Sequence, residues 1–304
     1  MVSPRAPDLK IVTDDDPAGA APPERADASP HDDLTLRVIS ALVLAPIAVG
    51  TAYAGGVVFI AFWGLAALGV QWEWRRIVGD EGPIALALGV GAVLFVILDM
   101  AAGGGLASVT DLIEVVAAVA ALALLAGLAA HNNRLWTAGG VLYASALIFS
   151  VGALRADHDL GFWAILYLFA VVWATDILGY FVGRLIGGPK LSPRLSPKKT
   201  WSGALGGALG AVLAGTAISG YAGVSNLPAM ICLGLILSAV SQGGDLFESA
   251  VKRRFGTKDA GRVIPGHGGF MDRLDGFLAA AFAAAIIGLV RGGLDLPAHG
   301  LLVW

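Results

Sequence analysis

The chain has 304 residues, of which 57% are hydrophobic and 14% charged, with a mean hydropathy of +0.76; a soluble domain carries roughly 25% charged residues. That balance excludes a soluble enzyme and describes an all-α polytopic membrane protein. The net charge of −3 sums signs that are segregated along the chain, and the single cysteine, Cys232, excludes an intramolecular disulfide and a cysteine-cluster metal site.

Residues 1–33 are rich in Pro, Asp and Ala and carry eight acidic against three basic side chains. With no apolar stretch to bury, they read as a disordered acidic tail on the cytoplasmic side, followed by one transmembrane domain over 34–304. Apolar runs near 36–54, 55–72, 82–100, 111–130, 135–153, 161–183, 203–222, 226–244 and 275–294 predict about nine membrane-spanning helices. Each is near the ~20 residues that cross a bilayer core, and none alternates as a barrel strand does. If the N-terminus is cytoplasmic, all but Arg155 and Arg291 of the 20 Lys and Arg fall on the inner side, which is the expected bias. The polar loops 184–202 and 245–274 are two spans apart and therefore share that face. In the seventh span Gly203 with Gly207, and Gly206 with Gly210, are spaced for close helix contact, either inside one chain or in a homodimer.

The most polar part of this apolar region runs from Asp245 to Asp275. Asp245 and Ser249 are four apart, and Asp272 and Asp275 three apart, so two helical segments would each present a pair on one face. Three carboxylates and a hydroxyl suit a hard cation such as Mg²⁺; the alternative is that these acids pair with Arg253, Arg254 or Arg273. Lys252, Arg253, Lys258, Arg262 and Arg273 would give a polyphosphate several charge-assisted partners, although Arg253 and Arg254 also fit as lipid anchors. The turn Pro265-Gly266-His267-Gly268-Gly269 can approach a phosphate closely, with His267 either bonding substrate or bracing the loop. Upstream, Lys198 and Lys199 stand beside hydroxyls, and Asp176 lies within the sixth span with Arg184 as a candidate partner. Glu73 and Arg75, flanked by Trp72 and Trp74, read as an interfacial belt without chemistry.

Read together, Ser249, Lys252, Arg253, Lys258, Asp259, Pro265, His267, Gly268, Gly269, Asp272, Arg273 and Asp275 resemble, without a gap over 249–275, the signature of the phosphatidate cytidylyltransferase (CDP-diacylglycerol synthase) family. The resemblance extends to Asp176, Gly183-Arg184 and Ser196-Pro197-Lys198-Lys199-Thr200; many members follow that run with an acidic residue and Gly, where this chain has Trp201-Ser202-Gly203. It implies transfer of a cytidylyl group from CTP to phosphatidic acid in the inner membrane of a bacterial-type cell, with the site on the cytoplasmic face. Asp245, Asp272, Asp275 and Lys258 would be catalytic. Asp245, Ser249, Asp272 and Asp275 would hold Mg²⁺, with or without a second cation. Lys198, Lys199, Ser249, Lys252, Arg253, Arg273 and His267 would bind substrate. The bilayer is the other partner, and no nucleic acid is expected. A CTP-dependent lipid-alcohol kinase and an anion transporter are the rival readings; the signature argues against the first and the one-sided charge against the second.

Overall fold

The computed structural model describes residues 30–103, 108–224, 226–261 and 268–304. It is a helical bundle of α1 (Pro30–Ala54), α2 (Gly56–Val78), α3 (Pro83–Ala101), α4 (Val109–Ala129), α5 (Arg134–Ala156), α6 (Gly161–Ile186), α7 (Trp201–Tyr221), α8 (Leu227–Arg254), α9 (Met271–Gly292) and the short α10 (Pro297–Leu302). A small hairpin, β1 (Lys190–Ser192) and β2 (Ser196–Thr200), lies between α6 and α7. Among the described residues, eight helices, α2 to α9, are long and apolar enough to span a membrane; in α1 the apolar part, Leu42–Ala54, is shorter. Of the tail expected over 1–33, residues 1–29 lie outside the described residues.

The bundle turns its bulky apolar side chains both ways. Leu65, Leu98, Leu124 and Leu213 are exposed on its outer face, where hydrocarbon rather than water is the natural solvent. Inside, α5 is the most enclosed helix, packed against α2, α3, α4, α6 and α9. Trp63 of α2 stacks on Phe277 of α9 at 4.8 Å between ring centroids and on Phe169 of α6 at 6.0 Å. Such offset aromatic contacts fix helix positions where apolar burial alone, in lipid, would not.

The two basic residues assigned to the opposite end from the polar loops both close helix ends. Arg155 Nε donates to the Ala52 carbonyl at 2.6 Å and Nη2 to Tyr53, supplying donors to the orphan carbonyls of α1. Arg291 donates to the carbonyls of Gly300 and Val303 and lies over the Trp304 ring. At the same end Asp157, between α5 and α6, is buried and pins α10: it accepts the Leu160 N–H at 3.0 Å and the His299 N–H at 3.0 Å, and pairs with His299 Nδ1 at 2.9 Å. Burial by itself would raise the Asp157 pKa, but the His299 side chain and these backbone donors outweigh it and hold the carboxyl below its ordinary range.

Two differences from the sequence expectation matter for the site. The span expected to end at 244 runs on as α8 to Arg254. At ~1.5 Å per residue its 28 residues reach about 42 Å, against about 30 Å of hydrocarbon, so the last turns project past the bilayer core. Three cations in the last turn suit the helix C-terminus, and Gly256 at φ 68° terminates it. The span expected from 275 begins at Met271, which puts Asp272 in the first turn of α9 and Asp275 on the same helix.

Candidate active site

The site begins with a close crossing of α8 and α9. A methyl group on Gly244 would lie 2.6 Å from the Asp275 carbonyl oxygen, and one on Gly276 would lie 2.7 Å from Ser241 Oγ. Only glycine at these places lets the two backbones approach so closely. The contact brings Asp245, Glu248 and Lys252, spaced along one face of α8, against Asp272 and Asp275 of α9.

There the charges interlock. Lys252 Nζ lies 2.7 Å from Asp272 Oδ1 and 3.0 Å from Glu248 Oε2, its side chain 14% exposed. Asp272 also accepts the N–H groups of Gly269 at 2.9 Å and Ala260 at 3.2 Å. The Glu248 carboxyl is buried against that of Asp275, and its Oε1 meets no donor among the described residues. Tyr143 of α5 carries a buried hydroxyl without a partner among the described residues, close enough to feel both carboxylates. Asp275 Oδ1 accepts only the adjacent Gly276 N–H among the hydrogen bonds described.

The hairpin closes one side of this cluster. Successive residues of a strand point to opposite faces, so β2 sorts the two lysines: Lys199 bonds Asp245, and Lys198 is exposed. Asp176 of α6 has Lys199, Asp245 and Arg273 as its charged neighbours. Arg184, its expected partner, instead donates to Tyr180 Oη at 2.8 Å, one turn back on α6. Ser202 acts on the backbone: its hydroxyl donates to the Gly187 carbonyl, while Thr200 caps α7 by accepting the Gly203 N–H at 3.1 Å. The α7 glycines serve contacts within the chain: a methyl on Gly203 would lie 2.7 Å from the Gly179 carbonyl of α6, and one on Gly207 2.6 Å from that of Thr175.

The remaining expected residues divide by exposure. Arg253 and Lys258 are exposed beside the cluster and form no ion pair among the described residues. Arg273 is exposed on α9, and Ser249 is half-buried one turn from Asp245 on α8. Arg254, read as a lipid anchor, lies 5.2 Å over the Trp136 ring. His267 and Arg262 lie outside the described residues. Glu248, Tyr143 and Glu73 were not among the expected residues. Glu248 carries a local signal, three after Asp245 and four before Lys252. Glu73 carries none, since its hydrogen bonds are to Phe270 and Met271, at the start of α9.

Among the described residues no group of three or more His, Cys, Asp or Glu converges as a metal cage would. Mg²⁺, however, takes one or two carboxylates and completes its shell with water and substrate phosphates. The apposed Glu248 and Asp275, one of them with a buried oxygen that meets no donor, are a donor set of that kind. Asp245 and Asp272 are already engaged by lysines, so their oxygens come to a cation only as those contacts rearrange.

The sequence model of the cytidylyltransferase family matches residues 35–290. A phosphatidate cytidylyltransferase of Brucella suis biovar 1 is 41% identical over 267 residues, covering 87% of this chain and 97% of that protein. One of Brucella abortus biovar 1 is 41% identical over 266 residues, covering 87% and 96%. One of Staphylococcus haemolyticus is 37% identical over 127 residues, 41% of this chain and 48% of its own length.

Proposed function

The chain belongs to the cytidylyltransferase family, and from that premise we propose that it transfers a cytidylyl group from CTP to phosphatidic acid, giving CDP-diacylglycerol and pyrophosphate. The observation that carries this reading is the meeting of the α8 carboxylates and lysine with Asp272 and Asp275 at one end of a membrane-spanning bundle, ringed by exposed cations.

In this reaction an oxygen of the lipid phosphate attacks the α-phosphorus of CTP. A new P–O bond forms, the bond to the bridging oxygen of the β-phosphate breaks, and pyrophosphate departs with the electron pair. The attacking phosphate is already ionised, so no strong base is needed. The barrier lies in aligning two polyanions and offsetting their repulsion. Lys198, Arg253, Lys258 and Arg273, all exposed, are the groups that would engage phosphate oxygens, with His267 as a further substrate contact. Lys199 and Lys252 hold Asp245 and Asp272 in place. Mg²⁺ would be held by Asp275 and Glu248, with Asp245, Asp272 and Ser249 reaching it only as the lysine contacts of the two aspartates rearrange. When bound it would neutralise charge developing on the phosphate oxygens.

The polar end would face the cytoplasm, where CTP is available, with α1 as a ninth crossing of a bacterial-type inner membrane and the N-terminus inside. The Lys and Arg bias of the sequence supports that orientation. To test the function, membranes containing the protein are incubated with CTP labelled at the α-phosphate, phosphatidic acid and Mg²⁺. A labelled lipid together with released pyrophosphate is expected. Neither product, under conditions where a known synthase is active, would refute the reading.

A further inference from the structure

We propose that Glu73 is a positioning residue for this reaction, holding the start of α9 and with it Asp272, Arg273 and Asp275. The inference rests on the function proposed above for what α9 does. Its structural part stands independently.

The N-cap of α9, Phe270, has no side-chain cap of its own. Its first amides are instead taken by a side chain from α2. The Glu73 carboxylate accepts the Phe270 N–H at 3.0 Å and the Met271 N–H at 2.8 Å, across 197 and 198 residues of sequence. Glu73 is 1% exposed and forms no ion pair among the described residues. A buried carboxylate is costly unless its oxygens are satisfied. Here the two amides, with the positive end of the helix dipole behind them, satisfy them.

The surroundings are shaped to this contact. A methyl on Gly261 would lie 2.6 Å from Glu73 Oε1, and one on Gly269 would meet the same carboxylate. One turn back on α2, a methyl on Gly69 would lie 2.6 Å from the Phe270 ring. Gly69 and Glu73 thus form one docking face, the first receiving the ring of Phe270 and the second its amide. Asp272 is close enough for its charge to be felt at Glu73. Its carboxylate takes the Gly269 N–H, so the two acids divide three successive amides between them. Loss of Glu73 would leave the Phe270 and Met271 amides without their carboxylate, and the entry to α9 held by the Phe270 ring at Gly69 and by Asp272, a group the reaction needs elsewhere.

The test uses the full chain in membranes or detergent, with wild type, Glu73→Gln and Glu73→Ala. Gln keeps one acceptor oxygen at the same reach, and Ala keeps none. A misplacement of about 1 Å at a reacting centre costs on the order of 100-fold in rate, so Glu73→Ala should lose roughly 10- to 100-fold in kcat and Glu73→Gln clearly less. KM for CTP should change by a smaller factor than kcat, because of the groups that engage phosphate only Arg273 is on α9, while Lys198, Arg253 and Lys258 are not. Hydrogen exchange, measured without substrates, should accelerate over 268–276 in the same order while peptides of α3 and α4 are unchanged. The inference is overturned if Glu73→Ala keeps kcat within about twofold of wild type, if exchange over 268–276 is unaltered, or if Gln is as damaging as Ala, which would mean that the charge itself is used. Should Glu73→Ala fail to fold, Glu73→Gln decides: a lowered kcat with faster local exchange supports the inference, and wild-type values of both overturn it. A wild-type protein without transferase activity refutes the proposed function instead, and leaves the exchange result to judge the cap.

Discussion

Replacing Lys252 by Met separates two accounts of that lysine. As a phosphate ligand, the reading its sequence position suggests, Lys252 would affect substrate affinity and little else. In the structure its ammonium bridges Glu248 and Asp272, with side-chain exposures of 14%, 2% and 15%. Met fills similar volume and removes the charge, leaving two nearly buried carboxylates without their shared cation. Removing one partner of a buried ion pair costs about 3–5 kcal/mol; the residual exposure of Lys252 and Asp272 and the backbone donors kept by Asp272 place this case at about 3 kcal/mol. For a chain of this size, at about 2.1 cal/mol/K of unfolding entropy per residue, that corresponds to roughly 5 °C in Tm. Thermal unfolding of the purified protein in detergent, followed by tryptophan fluorescence, measures it. Adding Glu248→Gln to the Met variant should recover about 1–2 kcal/mol by neutralising one of the two acids. A Met variant that melts within about 1 °C of wild type, with KM for CTP raised tenfold or more, would refute the bridging role.

Three further outcomes are expected. Asp272→Asn keeps acceptor oxygen for the Gly269 and Ala260 amides but loses the charge; it should reduce turnover by about 100-fold or more while the protein remains folded by size-exclusion chromatography, and near-normal activity would refute its role. Gly244→Ala drives a methyl to 2.6 Å from the Asp275 backbone, forcing α8 and α9 apart at a cost of about 1–3 kcal/mol, so both Tm and kcat should fall. Asp157 has a depressed pKa in the fold, so its stabilising contribution is complete above the unfolded value of ~3.9 and is lost as pH falls through the lower, folded value. Wild type should therefore lose Tm below about pH 4, and Asp157→Asn should lose part of that dependence; identical profiles would show that Asp157 contributes none of it.

What the sequence discloses follows the range of the forces involved. Apolar run length locates the membrane-crossing parts of α2 to α9, because hydrocarbon thickness sets a length that composition must meet, but it misses the polar ends by which α2 runs on to Val78 and α8 to Arg254. Helical spacing likewise pairs Asp272 with Asp275. The hairpin is obscured by Pro189, Pro193 and Pro197, which read as breaks, although the first two flank β1 and only Pro197 lies within a strand, in a two-stranded hairpin where an edge tolerates it. A count of charges cannot tell Lys198 from Lys199; strand alternation does so, committing one to Asp245 and leaving the other exposed. The bond from Glu73 to the start of α9 has no local trace, since only the assembled bundle brings residues nearly 200 apart together.

That long-range bond also orders events in time. Synthesis proceeds at about 5–20 residues per second, so 198 residues separate Glu73 from its donor partner by roughly 10–40 s. During that interval a carboxylate destined for burial sits on an early helix with the amides that will receive it not yet made. α9, the last of the eight long helices to emerge, brings those amides together with Asp272 and Asp275. Biogenesis therefore couples completion of the carboxylate cluster to the docking step that satisfies Glu73, and a partly inserted chain holds neither.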